Sequence, residues 1–336
     1  MLKARHVPDR LSNPGASPAR TPTLRPTRCA LCATEGNATE LYPARFAPQD
    51  LNPTVFSARR NPDRLHFRVV RCRACGLVRS DPVADRGALE ALYVRSSFDY
   101  GAEVPCLRRT YARFLERARR HAAAAGRLLE IGCGNGFFLE EARRLGVAEV
   151  RGVEPSRVAV ASAPAWLRAR ILRNTMRPGL FPPGSFDIIC LFQVFDHMPD
   201  PGELTAECLR LLRPGGVVLA LNHNVEALTS RLLGERSPII DIEHTFLYGP
   251  ATMRRVFERS GFEIVEMGTV WNTYSLGYLV RLLPLPGWLK RGALVLLRGT
   301  GVGRLPLTVP LGNLYQIARK SAGLPAGGSA PGEKVA

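Results

Sequence analysis

The chain has 336 residues, of which 46% are hydrophobic, so it can form one large domain or two smaller ones around a sizeable core. Its formal net charge of +17 comes almost wholly from arginine, and no basic run with interleaved aromatic residues is present, which does not favour a general nucleic-acid-binding protein. The N-terminal residues lack a secretory apolar run, and no stretch reaches the roughly 18 apolar residues of a membrane span, so a cytoplasmic protein is expected.

Four of the eight cysteines fall in two Cys-x-x-Cys pairs, Cys29/Cys32 and Cys72/Cys75. Two such pairs can supply four thiolates to one tetrahedral zinc ion. A redox-active pair is the alternative, although both pairs precede any strand–helix–strand pattern. Because the surrounding segment 28–82 has few core residues and would need a metal to fold, the sequence predicts a structural Zn²⁺ site. The other cysteines are scattered, which fits a reduced compartment better than a disulfide framework.

From about residue 107 the chain alternates between helical and strand patterns. Apolar residues recur from Leu107 to His121 at the spacing of an amphipathic helix. The predicted strands that follow are Leu128–Ile131, Val150–Val153, Ile171–Leu172, Phe186–Phe192, Val217–Leu221, Phe262–Met267 and Leu314–Ala318. The predicted helices between them are 136–145, a helix after Ser156, 202–212 and 250–260. Strands separated by helices in this way predict a parallel sheet with helices on both faces.

One segment between the last two strands departs from this alternation. Residues 271–311 contain five basic residues, no acidic residue and many apolar ones, which suggests an insertion beside the sheet edge. The segment forms either an ordinary lid or dimer contact, or a peripheral contact with an anionic membrane surface. The predicted organisation is a disordered tail at 1–27, a zinc-binding module at 28–82, a linker at 83–106, the main domain at 107–320 and a second disordered tail at 321–336.

The first predicted strand of the main domain is followed by three glycines at every second position. Ligands of an open parallel sheet bind at the carboxyl ends of its strands, and Gly132, Gly134 and Gly136 would let the backbone approach a ligand there. Glu130 precedes this loop, as suits a ligand with a cationic group, and Glu154 ends the second strand, where a carboxylate can accept ribose hydroxyls. A purely structural turn, and a helix-initiating role for Glu154, are the alternatives.

These motifs, in this order, resemble those of the class I S-adenosylmethionine (SAM)-dependent methyltransferases. The segment Glu130–Gly136 resembles their first motif and Val153–Ser156 the acidic end of their second strand. Phe186–Pro201 and Leu211–Leu219 resemble their fourth- and fifth-strand motifs. The resemblance covers roughly 107–320 and implies a Rossmann-like α/β fold with a seven-stranded sheet whose last strand is antiparallel. A zinc module before such a core is similar to a bacterial group that includes sugar C-methyltransferases, in which the module shapes substrate access.

The resemblance also implies SAM as cofactor and a set of residues that hold it. The implied cofactor-binding residues are Glu130, Gly132, Gly134, Asn135, Gly136, Glu154, Asn174, Thr175 and Gln193. The sequence departs from the family at Asn174 and Thr175, where an acidic residue is frequent, although asparagine can still hydrogen-bond an adenine amino group. It departs again at Asp196-His197, where the family usually has Glu-His, and there a structural cap is as good an interpretation of His197 as a functional contact.

Transfer of a methyl group to an O–H or C–H acceptor requires a base that removes a proton. Two histidines are candidates because their ordinary pKa lies near 6.5. His223 directly follows the fifth strand, and His244 lies in Asp241–Tyr248, which resembles the family's Glu-His-Leu-x-x-Phe segment. Either histidine could instead make only structural loop contacts, and Tyr93, ahead of the core, is expected to pack.

The sequence thus predicts a SAM-dependent methyltransferase that acts on a small-molecule or glycan-like acceptor by O- or C-methylation. The fourth strand is not followed by the (Asn/Asp)-Pro-Pro-(Tyr/Phe) tetrad, which argues against nucleobase and glutamine N-methylation. An RNA or protein methyltransferase and a non-catalytic SAM-binding regulator remain as alternatives. Either a monomer or a homodimer is compatible with the sequence.

Overall fold

The computed structural model describes residues 22–57, 63–96, 101–283 and 285–321. Residues 1–21 and 322–336 of the two tails for which the sequence predicts disorder, 1–27 and 321–336, lie outside these ranges. The prediction is wrong for residues 22–27, because Leu24–Arg25 forms a strand that pairs with Val83–Ala84 and Thr27 hydrogen-bonds Asp81. The described residues form one large sheet with flanking helices and two smaller antiparallel sheets.

The N-terminal part of the chain is built from short strands and one helix. These elements are β1 Leu24–Arg25, β2 Ala38–Tyr42, β3 Val69–Cys72, β4 Val78–Ser80, β5 Val83–Ala84 and α1 Arg86–Arg95. Strand β1 pairs with β5, and β3 pairs with both β2 and β4, all antiparallel. Helix α1 lies in the stretch that the sequence suggests is a linker, and Asp85 caps it by accepting a hydrogen bond from the Ala88 N–H.

The rest of the chain alternates between strands and helices as the sequence predicts. Its elements are α2 Val104–His121, β6 Arg127–Ile131, α3 Phe137–Arg144, β7 Glu149–Val153, α4 Arg157–Ala161, α5 Ala165–Arg168, β8 Ile171–Leu172, β9 Phe186–Phe192, α6 Pro201–Leu211, β10 Leu212–His223, α7 Leu228–Leu233, β11 Phe246–Leu247, α8 Pro250–Arg259, β12 Phe262–Ser275, α9 Leu276–Leu282, α10 Gly287–Gly299 and β13 Pro306–Lys320. The large sheet has the order β12-β13-β10-β9-β6-β7-β8, and β13 is antiparallel to both neighbours. This confirms the predicted seven-stranded sheet with an antiparallel last strand.

Strands β12 and β13 are longer than the apolar pattern predicts. They pair as far as Ser275 with Pro306, and the chain between these residues forms α9, α10 and a short 3-10 turn. We call the segment Leu276–Arg304 the helical hairpin. The first residues of β13, such as Leu307, have exposed side chains and are held by backbone pairing. Because an apolar pattern reports burial, it predicts a shorter strand than the structure has. Within the described ranges, no helix is both long and apolar enough to cross a membrane.

The N-terminal strands pack directly on the main domain. Strand β4 pairs with β11, which follows immediately after the His244 segment. Leu31 and Leu77 belong to the same buried cluster as Leu129 of β6 and Phe186 of β9. The cysteine-containing part of the chain is therefore anchored to the side of the sheet on which α6 and α8 also pack.

Candidate active site

The glycine loop at the carboxyl end of β6 depends on glycine for two reasons. Gly132, Gly134 and Gly136 have φ values of 72°, 55° and 77°, in the left-handed region that glycine favours. A Cβ atom at Gly132 would lie 2.4 Å from Val194 Cγ2, and one at Gly136 would lie 2.4 Å from Leu167 Cδ2. The loop therefore combines a backbone conformation and a packing density that other residues would disturb.

The carboxylate of Glu154 fixes this loop to the end of β7. Its Oε2 accepts a hydrogen bond from the Gly134 N–H at 2.8 Å, and its Oε1 accepts one from the Ser156 N–H at 2.8 Å. Burial raises the pKa of Glu154, while the two N–H donors act in the opposite direction. Since each carboxylate oxygen can accept more than one hydrogen bond, Glu154 can still receive hydroxyl donors from a ligand.

Glu130 lies on β6 behind the loop and is not part of the cavity wall. It is buried, and its Oε2 has no hydrogen-bond donor among the described residues. Burial, and then the charge of Glu154, raise the pKa of Glu130 well above its usual range. An unsatisfied buried carboxyl beside the loop fits a ligand with a cationic group, although contact would need a bridging water or donor.

A cavity of about 850 Å³ opens at the carboxyl ends of the central strands. Six of the residues that the sequence assigns to the cofactor line it: Gly132, Gly134, Glu154, Asn174, Thr175 and Gln193. Asn135 and Gly136, like Glu130, do not line it, and the Asn135 side chain accepts a hydrogen bond from the Phe137 N–H at the start of α3. The cavity is where an open parallel sheet binds its ligand.

Three imidazoles surround one buried carboxylate at the cavity wall. Asp196 Oδ2 lies 2.6 Å from His223 Nδ1 and 3.8 Å from His244 Nε2, and its Oδ1 lies 3.6 Å from His197 Nε2. We call Asp196, His197, His223 and His244 the histidine cluster. The three histidines line the cavity, whereas Asp196 lies behind them and is only 1% exposed. Burial alone would raise the pKa of Asp196, but the neighbouring histidines lower it below its usual range, so the carboxylate is charged.

Two of these histidines are held by further hydrogen bonds. His244 Nδ1 donates to the Ile239 carbonyl at 2.7 Å, and His197 Nδ1 lies 3.0 Å from Tyr93 Oη. Burial lowers the pKa of His197 to about 4 and also lowers the pKa of His244. Both imidazoles are therefore neutral near pH 7.

His223 has the arrangement of a general base. Because Asp196 is a carboxylate, the 2.6 Å contact requires His223 Nδ1 to carry the proton, which leaves Nε2 as an acceptor. The His223 side chain is 24% exposed, compared with 7% for His244. His223 thus combines an oriented ring, a nearby negative charge and access to the cavity.

The structure adds to the site residues that the sequence analysis did not assign to it. His197 could have been a structural cap, but it lines the cavity and contacts both Asp196 and Tyr93. Tyr93 does pack, edge-on against Phe56, yet its hydroxyl also joins the site, 104 residues from His197 in the chain. Asp196 and His197 were detectable in principle, because they follow β9 at the same sheet edge as His223. No local pattern marks Tyr93.

The four cysteines of the two Cys-x-x-Cys pairs come together as free thiols. Their Sγ atoms all lie within 4.8 Å of one another, with 3.4 Å between Cys29 and Cys75 and 4.0 Å between Cys32 and Cys72. Tetrahedral zinc with Zn–S bonds of about 2.3 Å requires sulfur atoms about 3.8 Å apart. The donor set and spacing therefore fit zinc. The cluster is separate from the cavity wall.

Known proteins are similar in sequence to the central part of this chain. The profile of the family described as "Methyltransferase domain" matches residues 104–267. A "Ubiquinone biosynthesis O-methyltransferase" of Cupriavidus pinatubonensis is 30% identical over 169 residues, which are 46% of this chain and 68% of the relative. A "Probable S-adenosylmethionine-dependent methyltransferase" of Mycolicibacterium smegmatis is 31% identical over 47% of this chain and 60% of its own length.

A solved SAM-dependent methyltransferase from Archaeoglobus fulgidus is 22% identical, with 70% of this chain and 100% of that chain covered and a TM-score of 0.45. The chain spans between about half and two thirds of the length of three curated relatives to which it is similar. The matched domain, the cofactor motifs in their expected order and the strand order together show that the chain belongs to the class I SAM-dependent methyltransferases.

Proposed function

We propose that this methyltransferase transfers the methyl group of SAM to a hydroxyl oxygen of a small-molecule acceptor, with His223 as general base. The observation that carries the proposal is the Asp196–His223 pair, which faces the same cavity as Glu154 and the glycine loop. Donor-binding residues and an oriented base therefore share one enclosed space. That is the arrangement a proton-coupled transfer requires.

On the donor side, the residues present fit SAM. Glu154 would accept the ribose hydroxyls, and Asn174 and Thr175, which also line the cavity, would hold the adenine. Gly132 and Gly134 let the backbone approach the methionine portion, because a Cβ there would occupy the space of neighbouring atoms or strain the loop. When bound, SAM supplies an electrophilic methyl group on a positively charged sulfur.

On the acceptor side, His223 Nε2 takes the hydroxyl proton as the acceptor oxygen becomes the nucleophile. The Asp196 carboxylate stabilises the imidazolium that forms and keeps the ring in the required orientation. His244, whose ring centroid lies 4.8 Å from that of His223, is more deeply buried, and its lowered pKa weakens it as a base, so in this proposal it orients the acceptor and His223 removes the proton. Of the two histidines that the sequence suggests as bases, the geometry supports His223.

The nature of the acceptor is supported by the relatives and by the cavity. The relative of Cupriavidus pinatubonensis bears the name O-methyltransferase, which favours an oxygen acceptor over a carbon acceptor. The cavity encloses both halves of the proposed reaction in about 850 Å³, which suits a small molecule or the end of a glycan. A hydroxyl acceptor also gives the histidine cluster a chemical role, which a non-catalytic SAM-binding regulator would not need.

We also propose that Cys29, Cys32, Cys72 and Cys75 hold a structural Zn²⁺ ion. Val69 of β3 and Val78 of β4 are buried against Ile239, Ile240 and Leu247 of the main domain. The ion would add a cross-link between the two cysteine pairs, and it would hold Leu31 in the shared core of the main domain. Because β4 pairs with β11, this module supports the chain segment that carries His244 without supplying a group to the reaction.

The experiment that tests the methyltransferase proposal uses methyl-labelled SAM with separate small-molecule, glycan, RNA and protein fractions, followed by mass spectrometry of the product. We expect the label on an oxygen of a small molecule or glycan. His223→Asn should lower the rate by about 10²–10⁴ with unchanged SAM affinity. His121→Asn, which alters a histidine paired with Glu266 outside the cavity, is the matched control.

Three results would contradict the proposal. Label recovered in RNA or protein would identify a macromolecular acceptor. Label bound to carbon would show that the acceptor atom is not a hydroxyl oxygen. Full activity of His223→Asn would show that His223 is not the general base. Measuring SAM affinity by calorimetry on each variant separates loss of the donor site from loss of the chemistry.

A further inference from the structure

The helical hairpin exposes an unusual amount of apolar surface. Of the seventeen large hydrophobic residues exposed among the described residues, ten lie between Trp271 and Leu311. No residue of α9 or α10 is buried. Contiguous exposed apolar surface of this kind marks an interaction site in most folded proteins.

Three large apolar residues of α10 lie on a face that points to solvent. Trp288, Val295 and Leu296 are 71%, 69% and 67% exposed, and their spacing places them on the same side of the helix. Leu294 and Leu297, on the opposite side, are less exposed. A surface helix of a globular domain normally turns its apolar face inward, so this helix is oriented for a partner outside the protein.

The charge of the same region is entirely positive. Between residues 267 and 321 the sequence contains no Asp or Glu, and the hairpin itself carries five basic residues: Arg281, Lys290, Arg291, Arg298 and Arg304. At α-helical spacing, Arg291 and Arg298 border the stripe of Trp288 and Val295 along one edge. An apolar stripe bordered by arginines is the composition of helices that lie in the interface of an anionic bilayer.

The hairpin also forms part of the cavity wall. Leu276, Leu279, Arg281 and Leu283 line the cavity that contains the histidine cluster. A surface bound by α10 would therefore lie close to the acceptor side of the proposed active site.

We propose that the helical hairpin docks on the surface of an anionic lipid bilayer, with the Trp288 face in the headgroup region and Arg291 and Arg298 at lipid phosphates. A second copy of the chain is a poorer partner, because a symmetric contact would bring the same cations together without any acidic residue between them. The docked hairpin would present the cavity to acceptors held at the membrane.

The test is co-sedimentation of the full chain with vesicles of phosphatidylcholine alone or mixed with phosphatidylglycerol. We expect binding to the anionic vesicles that weakens as salt is added. Trp288→Ser combined with Leu296→Ser should weaken it about tenfold or more, through lost apolar burial. Arg291→Glu combined with Arg298→Glu should weaken it by a similar factor on anionic vesicles.

Matched controls lie elsewhere on the surface. Trp166→Ser on α5, which removes an exposed tryptophan, and Arg170→Glu, which reverses an exposed arginine, should bind as the wild type does. Failure of the wild type to bind anionic vesicles, or equal losses in the hairpin and control variants, would overturn the proposal. So would a wild-type dimer in lipid-free solution that the Trp288/Leu296 variant dissociates. Because vesicle binding is measured without SAM, these results are independent of methyl transfer.

Discussion

His223 Nδ1 and Asp196 Oδ2 lie 2.6 Å apart although the two residues are 27 positions apart in the chain. Asp196 follows β9 and His223 ends β10, two neighbouring parallel strands in which Phe192 pairs with Leu221. The contact fixes the tautomer of His223, whose side chain lines the cavity. The roles of His223 and Asp196 in the proposed reaction depend on this one hydrogen bond.

Asp196→Asn should therefore remove most of the activity. An asparagine side chain can donate to His223 Nδ1, which would favour the wrong tautomer, and we expect the rate to fall by about 10²–10⁴ with unchanged SAM affinity. Asp196→Asn combined with His223→Asn should cost little more than either change alone, because the residues act as a unit. Steady-state kinetics and calorimetry measure both quantities. Additive losses in the double variant would contradict a shared role.

Gly132→Ala should weaken SAM binding about tenfold or more and lower the stability by about 1–3 kcal/mol. The new methyl group would collide with Val194 in a backbone conformation with a φ of 72°. Gly179→Ala is the matched control, since Gly179 has a φ of 88° but no atom within 4 Å of a Cβ. It should lose some stability and keep its SAM affinity. Equal effects on SAM binding in calorimetry would argue against the packing explanation.

Glu154→Gln should raise the dissociation constant for SAM about tenfold or more. The change removes the negative charge that holds Gly134 and Ser156 and that would receive ribose hydroxyls. Glu149→Gln at the other end of β7 leaves the cavity untouched and serves as control. Calorimetric titration of both variants with SAM checks the prediction, and unchanged affinity of Glu154→Gln would contradict it.

The cysteine cluster should contain one zinc ion per chain. Elemental analysis of the purified protein measures the content, and Cys72→Ser should lower both the zinc content and the melting temperature because the metal cross-links the two cysteine pairs of this module. Cys106→Ala, which removes a cysteine outside the cluster, should keep the metal. A metal-free wild type with unchanged stability in the presence of a chelator would rule out a structural zinc.

His197 and His244 should make the protein less stable as the pH is lowered from about 6.5 toward 4. The pKa of His197 is lowered to about 4 and that of His244 is also lowered, so in this range the unfolded chain binds protons that these folded residues do not. The contribution of His197 should reach about 1.4 kcal/mol per pH unit, whereas the raised pKa values of Glu130 and Glu154 act with the opposite sign. Below about pH 4 the lowered pKa of Asp196 adds a loss of the same sign as that of the histidines.

Urea unfolding at several pH values measures this slope. His197→Asn should flatten it by removing one of the two titrating groups. His121→Asn, outside the histidine cluster, should leave it unchanged. Equal slopes for the wild type and His197→Asn between about pH 6.5 and 4 would show that this buried imidazole does not titrate as described.

Features that depend on neighbouring residues could be predicted from the sequence. The loop of Gly132, Gly134 and Gly136 could be recognised because its backbone conformation and its packing both require residues without a Cβ. The seven-stranded sheet with its antiparallel last strand followed from the resemblance that these local motifs carry. Spacing alone similarly predicted a metal-type cluster of Cys29 with Cys32 and Cys72 with Cys75.

Which polar residues meet depends on the tertiary fold. Asp196 and His223 lie at the ends of neighbouring parallel strands, whereas His244 and Tyr93 come from other segments. The fold brings His223 and His244 to Asp196, and Tyr93 to His197. Periodicity also cannot say which way an apolar helix face points. The spacing of residues in α10 is the same whether Trp288 faces a core or solvent. In the fold Trp288 faces solvent, because the helical hairpin extends beyond the sheet and nothing among the described residues covers that face.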